Sequence, residues 1–484
     1  MVTTTHSHRI VSALEALDNG AFREAIPRYE ASEPSTDPIE TLWRAEVALY
    51  LDRLEESAAE LKRLPVSLDR DLANRAETIR AEIAFWDKAL DESRHLVMPV
   101  VQSTWECGDH QGHLRASLLT ARIELRRGNA AEFLEKAREP RRLATVLGND
   151  FYGGIIAHGR AYAYSYFGDM KQAGHAFAEA LHLLKKSEGL RWEASCRVLY
   201  ASHLAELGRC DDAIAECDAA EKVAYDLGII GDALWARTAA ARTLLSLDRF
   251  EEIVTRLGEV LTWERATRHV FAELIALQVL AIAYCELGRY EEAERTADES
   301  TRLAQLIESE TSALDGEMLK WWAAARRGAS GAVGKLESII ERCDEAGTEY
   351  QRAEARLYVA QVSAADRPDI ASAMCLEAES MQACTQAARL QNLLQRVQSG
   401  LSSKPIRVGA AGELIIDPKV GMPDYDTAVA TLRRFLALEA VRRSSGNRAD
   451  AARQLGLSRS RFHDLWLQIH GKPVRPERTP AEKV

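Results

Sequence analysis

No two of the eight cysteines stand at CxxC spacing. Cys210 and Cys217, seven apart, share one helical face, and Cys375 and Cys384 are nine apart. Reduced thiols packed among helices are the expectation. Long apolar runs are missing too. The longest uncharged one, Leu274 to Cys285, falls well short of the roughly twenty residues a membrane span needs. The first ten residues, MVTTTHSHRI, have neither the basic nor the apolar region of a secretory signal. A cytoplasmic protein with no membrane contact is expected.

Catalytic and nucleotide motifs are absent as well. ASGAVGKL, Ala329 to Leu336, looks like a phosphate loop, but Leu336 stands where Ser or Thr is required and no strand precedes it. CGDHQGH offers Cys107, His110 and His113 at three-residue spacing, which winds too far around a helix for one metal face, and no fourth ligand lies nearby. His175 and His182 fit a solvated or packed helix face. No acid–base, nucleophile or metal constellation emerges, so neither an enzyme nor a bound cofactor is expected.

What is present is helix-forming, and its charge is uneven. The chain has 484 residues, 46% of them apolar and 28% charged, with a formal charge of −11. From Arg433 to the end the net charge is +7, whereas the preceding residues carry −18. A basic end on an acidic body directs any polyanion to that end.

The acidic body repeats. Gly128, Gly168, Gly208, Gly288 and Gly328 are spaced by multiples of forty, Asp248 fills the missing beat and Pro368 continues it. After Gly168 come Met170, Ala173, Phe177 and Ala180, and after Gly288 come Tyr290, Ala293, Ala297 and Ser300. Each unit reads as a helical hairpin: the beat residue breaks one helix, and the next offers a bulky residue two positions on and a small one where helices approach closely. Near the start, Gly20, Phe22, Ala25 and Tyr29 match, then Asp52, Leu54, Ser57 and Leu61; a third unit near Phe85 to Leu96 is degenerate. Pro65, Pro99 and Pro140 are expected between helices. This pattern resembles the tetratricopeptide repeat (TPR). The resemblance implies an all-α solenoid whose groove holds a protein or peptide. Its period exceeds the usual 34 or so, which predicts longer helices or longer loops. HEAT-like arrays share the length but lack the Gly-aromatic-Ala spacing. About ten hairpins are expected over 10–398. The aromatics Tyr162, Tyr164, Tyr166 and Phe167, and the pair Trp321-Trp322, are expected mostly in the repeat core, some of them facing the groove.

Residues 399–425, rich in Gly, Pro and Ser, read as a linker in which Ile406–Val408 and Glu413–Ile416 could pair as a hairpin. From Asp426 helix resumes, with Val429, Leu432, Leu436 and Ala440 on one face. Phe435 and Leu438 widen its apolar arc, which suits either a homodimer contact or closer packing within the domain. GNRADAARQLGLSRSRFHDLW, Gly446 to Trp466, then holds two helix starts and two stops. Gly446 suits a helix stop, Asn447 and Ser458 suit N-caps, and Gly456 suits the turn between. Gly446-Asn447, Ala451-Ala452 and Leu455-Gly456-Leu457-Ser458-Arg459, with Phe462 and Trp466, resemble the Fis-type helix-turn-helix of bacterial activators. The resemblance covers Leu432 to His470 and implies double-stranded DNA as partner over a domain at 426–471. Ser458, Arg459, Arg461 and His463 would face the major groove, and Arg448 and Arg453 the phosphate backbone. Arg461 replaces a usual Thr, and Asp464 and Leu465 stand at generally basic positions. Residues 472–484, with Lys472, Arg475 and Arg478, read as a basic tail. Nothing here resembles the ATP-driven domain that such activators carry. The sequence therefore reads as a bacterial transcription regulator with a TPR sensor. The alternative is an interaction scaffold that uses the helix-turn-helix to oligomerise.

Overall fold

A computed structural model describes residues 13–258, 270–402, 406–408, 414–416, 425–444 and 447–470. The chain divides into two compact units. One comprises Met1–Leu244 with Glu259–Ala272, the other Leu245–Gly258 with Glu273–Val484.

The first unit begins with α1, described over 13–18, then α2 (Phe22–Glu30), α3 (Pro38–Tyr50), α4 (Leu54–Leu61), α5 (Arg70–Trp86) and α6 (Leu90–Cys107). It continues through α7 (His110–Arg126), α8 (Ala130–Lys136), α9 (Arg138–Leu147), α10 (Asp150–Tyr166), α11 (Met170–Lys186), α12 (Leu190–Glu206), α13 (Cys210–Asp226) and α14 (Ile230–Leu245). The second unit holds α15 (Phe250–Gly258), α16 (Val270–Glu286), α17 (Tyr290–Leu306), α18 (Glu310–Arg326), α19 (Ala332–Ala346), α20 (Glu349–Ser363), α21 (Pro368–Glu379), α22 (Gln382–Gln386) and α23 (Ala388–Ser402). After it come strands β1 (Ile406–Val408) and β2 (Leu414–Ile416), then α24 (Tyr425–Arg443), α25 (Arg448–Gln454) and α26 (Arg459–His470). Among the described residues, α1 to α13 and α16 to α21 pair in sequence as helical hairpins within their own units, with α8 and α9 together serving as one arm.

The forty-residue period resolves into two equal halves. Left-handed residues stand at Lys88, Gly108, Gly128, Gly148, Gly168, Glu188, Gly208, Gly228 and Asp248, and again at Gly288, Glu308 and Gly328. Position 268, also on this beat, lies outside the described residues. Each marks a helix end closed in the same way: Asp169 N–H donates to Tyr164 C=O and Gly168 N–H to Ser165 C=O, both at 3.0 Å. Between these ends most helices run 17 residues, as α10 to α13 and α16 to α18 do. The extra length over a usual TPR is therefore in the helices, roughly three residues or one turn in each. The degenerate third unit falls on the beat as well, with Lys88 in place of glycine, at φ 66°.

Packing explains the spacing. Ala173, Ala213 and Ala293, five residues past a beat, are at most 1% exposed. Where serine replaces alanine, its hydroxyl caps a carbonyl of the partner helix: Ser57 Oγ donates to Ala45 O and Ser93 Oγ to Ala81 O, each at 2.7 Å. At the same position α8 carries Phe133, and the neighbouring helix accommodates it with Gly159, whose added Cβ would lie 2.4 Å from the ring.

Several expectations are corrected. Pro99 lies inside α6, and Pro140 in the first turn of α9, where a missing N–H costs little. The last solenoid helix runs past 398 to Ser402, and α24 begins at Tyr425. Tyr162, Tyr166 and Phe167 are 44%, 65% and 53% exposed rather than buried, while Trp322 is buried and stacked on Tyr358. β1 and β2 pair antiparallel, with Ile406 opposite Ile416. Gly446 and residues 472–484 lie outside the described residues.

Candidate functional site

In the first unit the groove is closed. Helices of the first two hairpins meet those of the fifth and sixth, although a simple solenoid repeat touches only its neighbours. Phe22 stacks on Tyr50 at 3.6 Å and packs against Phe151 at 5.8 Å. Asn149 caps α10 through Tyr152 N–H and donates its amide to Asp18 O at 2.8 Å. Arg191 on α12 donates from its backbone to Tyr50 Oη at 2.7 Å and from its guanidinium to the carbonyls of Leu49 and Tyr50. Gly20 admits this closure, because an added Cβ would stand 2.5 Å from Ser187 O.

Beside the closure lies a partly open cavity of about 160 Å³, bordered by Glu46, Tyr50, Glu82, Trp86, Arg115, Arg122, Tyr152, Arg191, Trp192 and Trp235. Its floor is a buried ion-pair network. Arg75 donates to Asp18 and Glu46 at 2.6 to 3.2 Å, and Arg115 reaches Asp18 at 3.2 Å. Burial raises the Glu46 carboxyl above its usual range, against the pull of Arg75 and Arg115. Arg191 pairs with Asp52 and Asp232. Arg122 is held by less. It lies over Phe85, Trp86 and Trp192, yet has one carboxylate contact, Glu82 at 3.4 Å, and its Nη2 is buried with no partner. Burial accordingly lowers its pKa. Nearby His158 touches Trp192; burial, and then the Arg122 charge, push its pKa down to about 4. None of these residues is marked by a motif. The available signal was Arg115, Arg122 and Arg126 recurring at seven and four along α7, whose Leu114, Leu118 and Ala121 are buried.

The last three helices form the second candidate site. Ala437, Ala440, Ala451, Ala452 and Phe462 make a small core, with Leu465 and Trp466 packed against it. The face of α24 is the expected one only at Ala440, which is buried together with Ala437 and Thr431, whereas Leu432 and Leu436 are 45% and 43% exposed. Small residues win because α25 approaches through its own alanines. Asn447 Oδ1 accepts from Ala449 and Asp450 N–H, and Gly456, at φ 65°, ends α25 with the closure used throughout the solenoid, Leu457 N–H to Ala452 C=O. Ser458 Oγ accepts from Arg461 N–H at 3.3 Å. Ser458, Arg459, Arg461, His463 and Asp464 are all exposed on the start of α26, and Leu465 is turned into the core rather than outward. Arg448 lies over Trp466 at 4.8 Å, and Arg453 pairs with Asp450.

The remaining candidates are not brought together. His113 is buried against Thr104 and Val101 O, whereas Cys107 and His110 are exposed. His175 and His182 are exposed as well. Among the described residues no cluster of three metal-ligating side chains exists, and no helix is long and apolar enough to cross a membrane. Gly331 in the phosphate-loop lookalike sits at φ 76° before α19, in a repeat turn.

Comparison with solved structures shows the fold. A Rap protein complexed with Competence and Sporulation Factor aligns over 76% of this chain and 100% of its own, at 13% identity and a TM-score of 0.52. A signal transduction ATPase with numerous domains and a tetratricopeptide repeat sensor, from Pyrococcus horikoshii, covers 76% of this chain and 54% of its own, at 13% identity and 0.49. NprR in complex with its cognate peptide NprX covers 77% and 100%, at 14% identity and 0.38. No family model and no curated protein matches the sequence. The chain is a TPR-like α-solenoid.

Proposed function

We propose that this chain is a bacterial, cytoplasmic transcription regulator in which the solenoid senses a ligand and α24 to α26 bind double-stranded DNA as a Fis-type helix-turn-helix. The observation that carries the DNA reading is the start of α26, where Ser458, Arg459, Arg461 and His463 stand exposed on a helix anchored by Phe462. Such a helix enters the major groove by its first turn. Arg459 and Arg461 are the groups for guanine or phosphate, and Arg453 and Arg448 flank them for the backbone. The sensing half is supported by the cavity and by the Rap protein of similar fold, which was solved complexed with Competence and Sporulation Factor. A peptide is the ligand class that TPR grooves suggest. The chain itself catalyses nothing and needs no cofactor.

The test is duplex binding by the full chain as a function of salt, together with a genome-wide footprint of the tagged protein. Replacing Arg459 and Arg461 by Ala should lower the slope of log affinity against log salt by about 2 if both reach phosphate, and should erase the footprint. No salt-dependent binding, or a footprint unchanged by the double substitution, removes the reading.

One observation favours the scaffold alternative. Tyr425, Leu432 and Leu436 are exposed on α24, and Asp464 is exposed beside the basic residues. A homodimer through α24 with no footprint would select it.

A further inference from the structure

The cavity of the N-terminal unit is lined by a guanidinium whose hydrogen bonds the chain does not complete. Arg75 places its donors on Asp18, Glu46 and Leu14 O, and Arg191 on Asp52, Asp232 and two backbone carbonyls. Arg122 has no such set. Its side chain is 10% exposed, its one polar contact is Glu82 at 3.4 Å, and Nη2 is enclosed without a partner. A buried N–H without an acceptor is costly, more so on a charged group, and Arg122 keeps one beside a cavity that could hold the missing acceptor. The guanidinium is also held in place, 4.8 Å over Trp192 and 4.6 Å over Phe85. One turn on, Arg126 lies over Phe85 and Trp86, and no ion pair to it is seen among the described residues. Two guanidiniums thus share one aromatic wall with a single carboxylate between them.

The space beside Arg122 is small. At about 160 Å³ it is close to the roughly 150 Å³ of a cavity known to hold one benzene. An extended peptide does not fit in it, but one ring does. Trp86, Trp192 and Trp235 border it with flat apolar faces, and Arg122 supplies a planar fork of the kind that pairs with carboxylates.

We propose that this cavity binds a carboxylate carried on a body the size of one aromatic ring, with Arg122 as the residue that reads the charge. The inference rests on the sensing role proposed above and names its chemistry. The carboxylate belongs either to a free aromatic acid or to the C-terminal residue of a peptide whose remainder lies outside the cavity.

The experiment uses the full chain with its tryptophan indoles labelled with ¹⁵N; Trp86→Phe and Trp192→Phe identify two of the nine signals. The probes are phenylacetate, phenylacetamide, acetate, and Gly-Gly-Phe as free acid and as amide. Phenylacetate or the free-acid tripeptide should shift the Trp86 and Trp192 N–H signals saturably, and bind about ten-fold tighter than the matching amide. The tighter of the two acids names the source. Arg122→Gln should reduce the acid–amide difference to about two-fold or less. Three results overturn the proposal: acid and amide binding alike, acetate matching phenylacetate, or an acid preference that survives Arg122→Gln. The acid–amide comparison on the unsubstituted chain decides the matter even where Arg122→Gln fails to fold. Acid binding without any effect on DNA occupancy would leave this site standing and remove the sensing link, whereas DNA binding without acid binding removes only the site.

Discussion

The N-terminal unit buries a set of arginines that bridge its helices, and the last three helices display most of theirs. Arg44, Arg75, Arg115 and Arg191 have side chains 7%, 8%, 9% and 8% exposed, whereas Arg442, Arg443 and Arg453 are 70%, 67% and 78% exposed. The same side chain does two jobs, set by its neighbours. In the first unit Arg75, Arg115 and Arg191 tie helices from different hairpins and Arg44 joins α3 to α4 through Glu60, so their charge is spent internally. At the C-terminus the pairs are mostly within one helix, as Arg442 and Arg443 with Glu439, and such contacts are screened and readily exchanged for a phosphate. Arg122 stands between the two, buried yet incompletely paired, with one carboxylate at 3.4 Å and Nη2 without a partner among the described residues.

Breaking each side of this comparison should have different consequences. Phe462 is 2% exposed and is the largest side chain in the C-terminal core. Phe462→Ala should cost about 3 to 5 kcal/mol, more than a unit this small can spare. Amide protection in α25 and α26 should vanish while the solenoid keeps its melting transition; a shared loss would show that the three helices are not an independent unit. Arg75→Ala strikes the other side. It leaves Asp18 and Glu46 buried with Arg115 as their remaining cation, and should cost about 3 kcal/mol. Urea unfolding of the full chain should shift its first-unit transition and leave duplex binding at native conditions intact.

The fold was legible because its signal is periodic. Gly and Asp at the beat, and alanine five residues later at Ala25, Ala173, Ala213 and Ala293, are local requirements of a left-handed turn and a close helix approach, so one sequence displays them again and again. The cavity was not legible, because closure joins residues more than 130 apart: Asn149 to Asp18, Arg191 to Tyr50. No local spacing encodes that. The exposed residues of α26 could be placed from the turn motif alone, but the face of α24 could not. Val429, Leu432 and Leu436 looked like the core stripe on hydrophobicity, and the alanines took it on size.

His158 sharpens the contrast by pH. Its folded value of about 4 lies below the roughly 6.5 of an unfolded histidine, so unfolding takes up a proton between the two. The first unit therefore has its full stability above about 6.5 and loses it as pH falls toward 4. His158→Gln should flatten that part of the dependence. The check is the urea midpoint at pH 7 and at pH 4.5: the drop between them should be smaller in the variant, and an equal drop would mean the imidazole is already charged in the folded state.

The smallest effect compares two asparagines with the same local duty. Asn447 caps α25 by accepting from Ala449 N–H at 3.0 Å and Asp450 N–H at 3.3 Å, in an exposed position. Asn149 caps α10 through Tyr152 N–H, but it is 4% exposed and also donates to Asp18 O across the closed groove. Asn447→Ala should cost about 1 kcal/mol, the ordinary worth of a cap. Asn149→Ala removes a cap and strands the Asp18 carbonyl in the interior, so its cost should be about 2 kcal/mol. Measured by denaturation of the two single variants, the difference isolates what burial adds to an identical residue. Equal losses would mean that water reaches Asp18 O in the variant, and that the groove is less tightly closed at its first hairpin than the Phe22–Tyr50 stack implies.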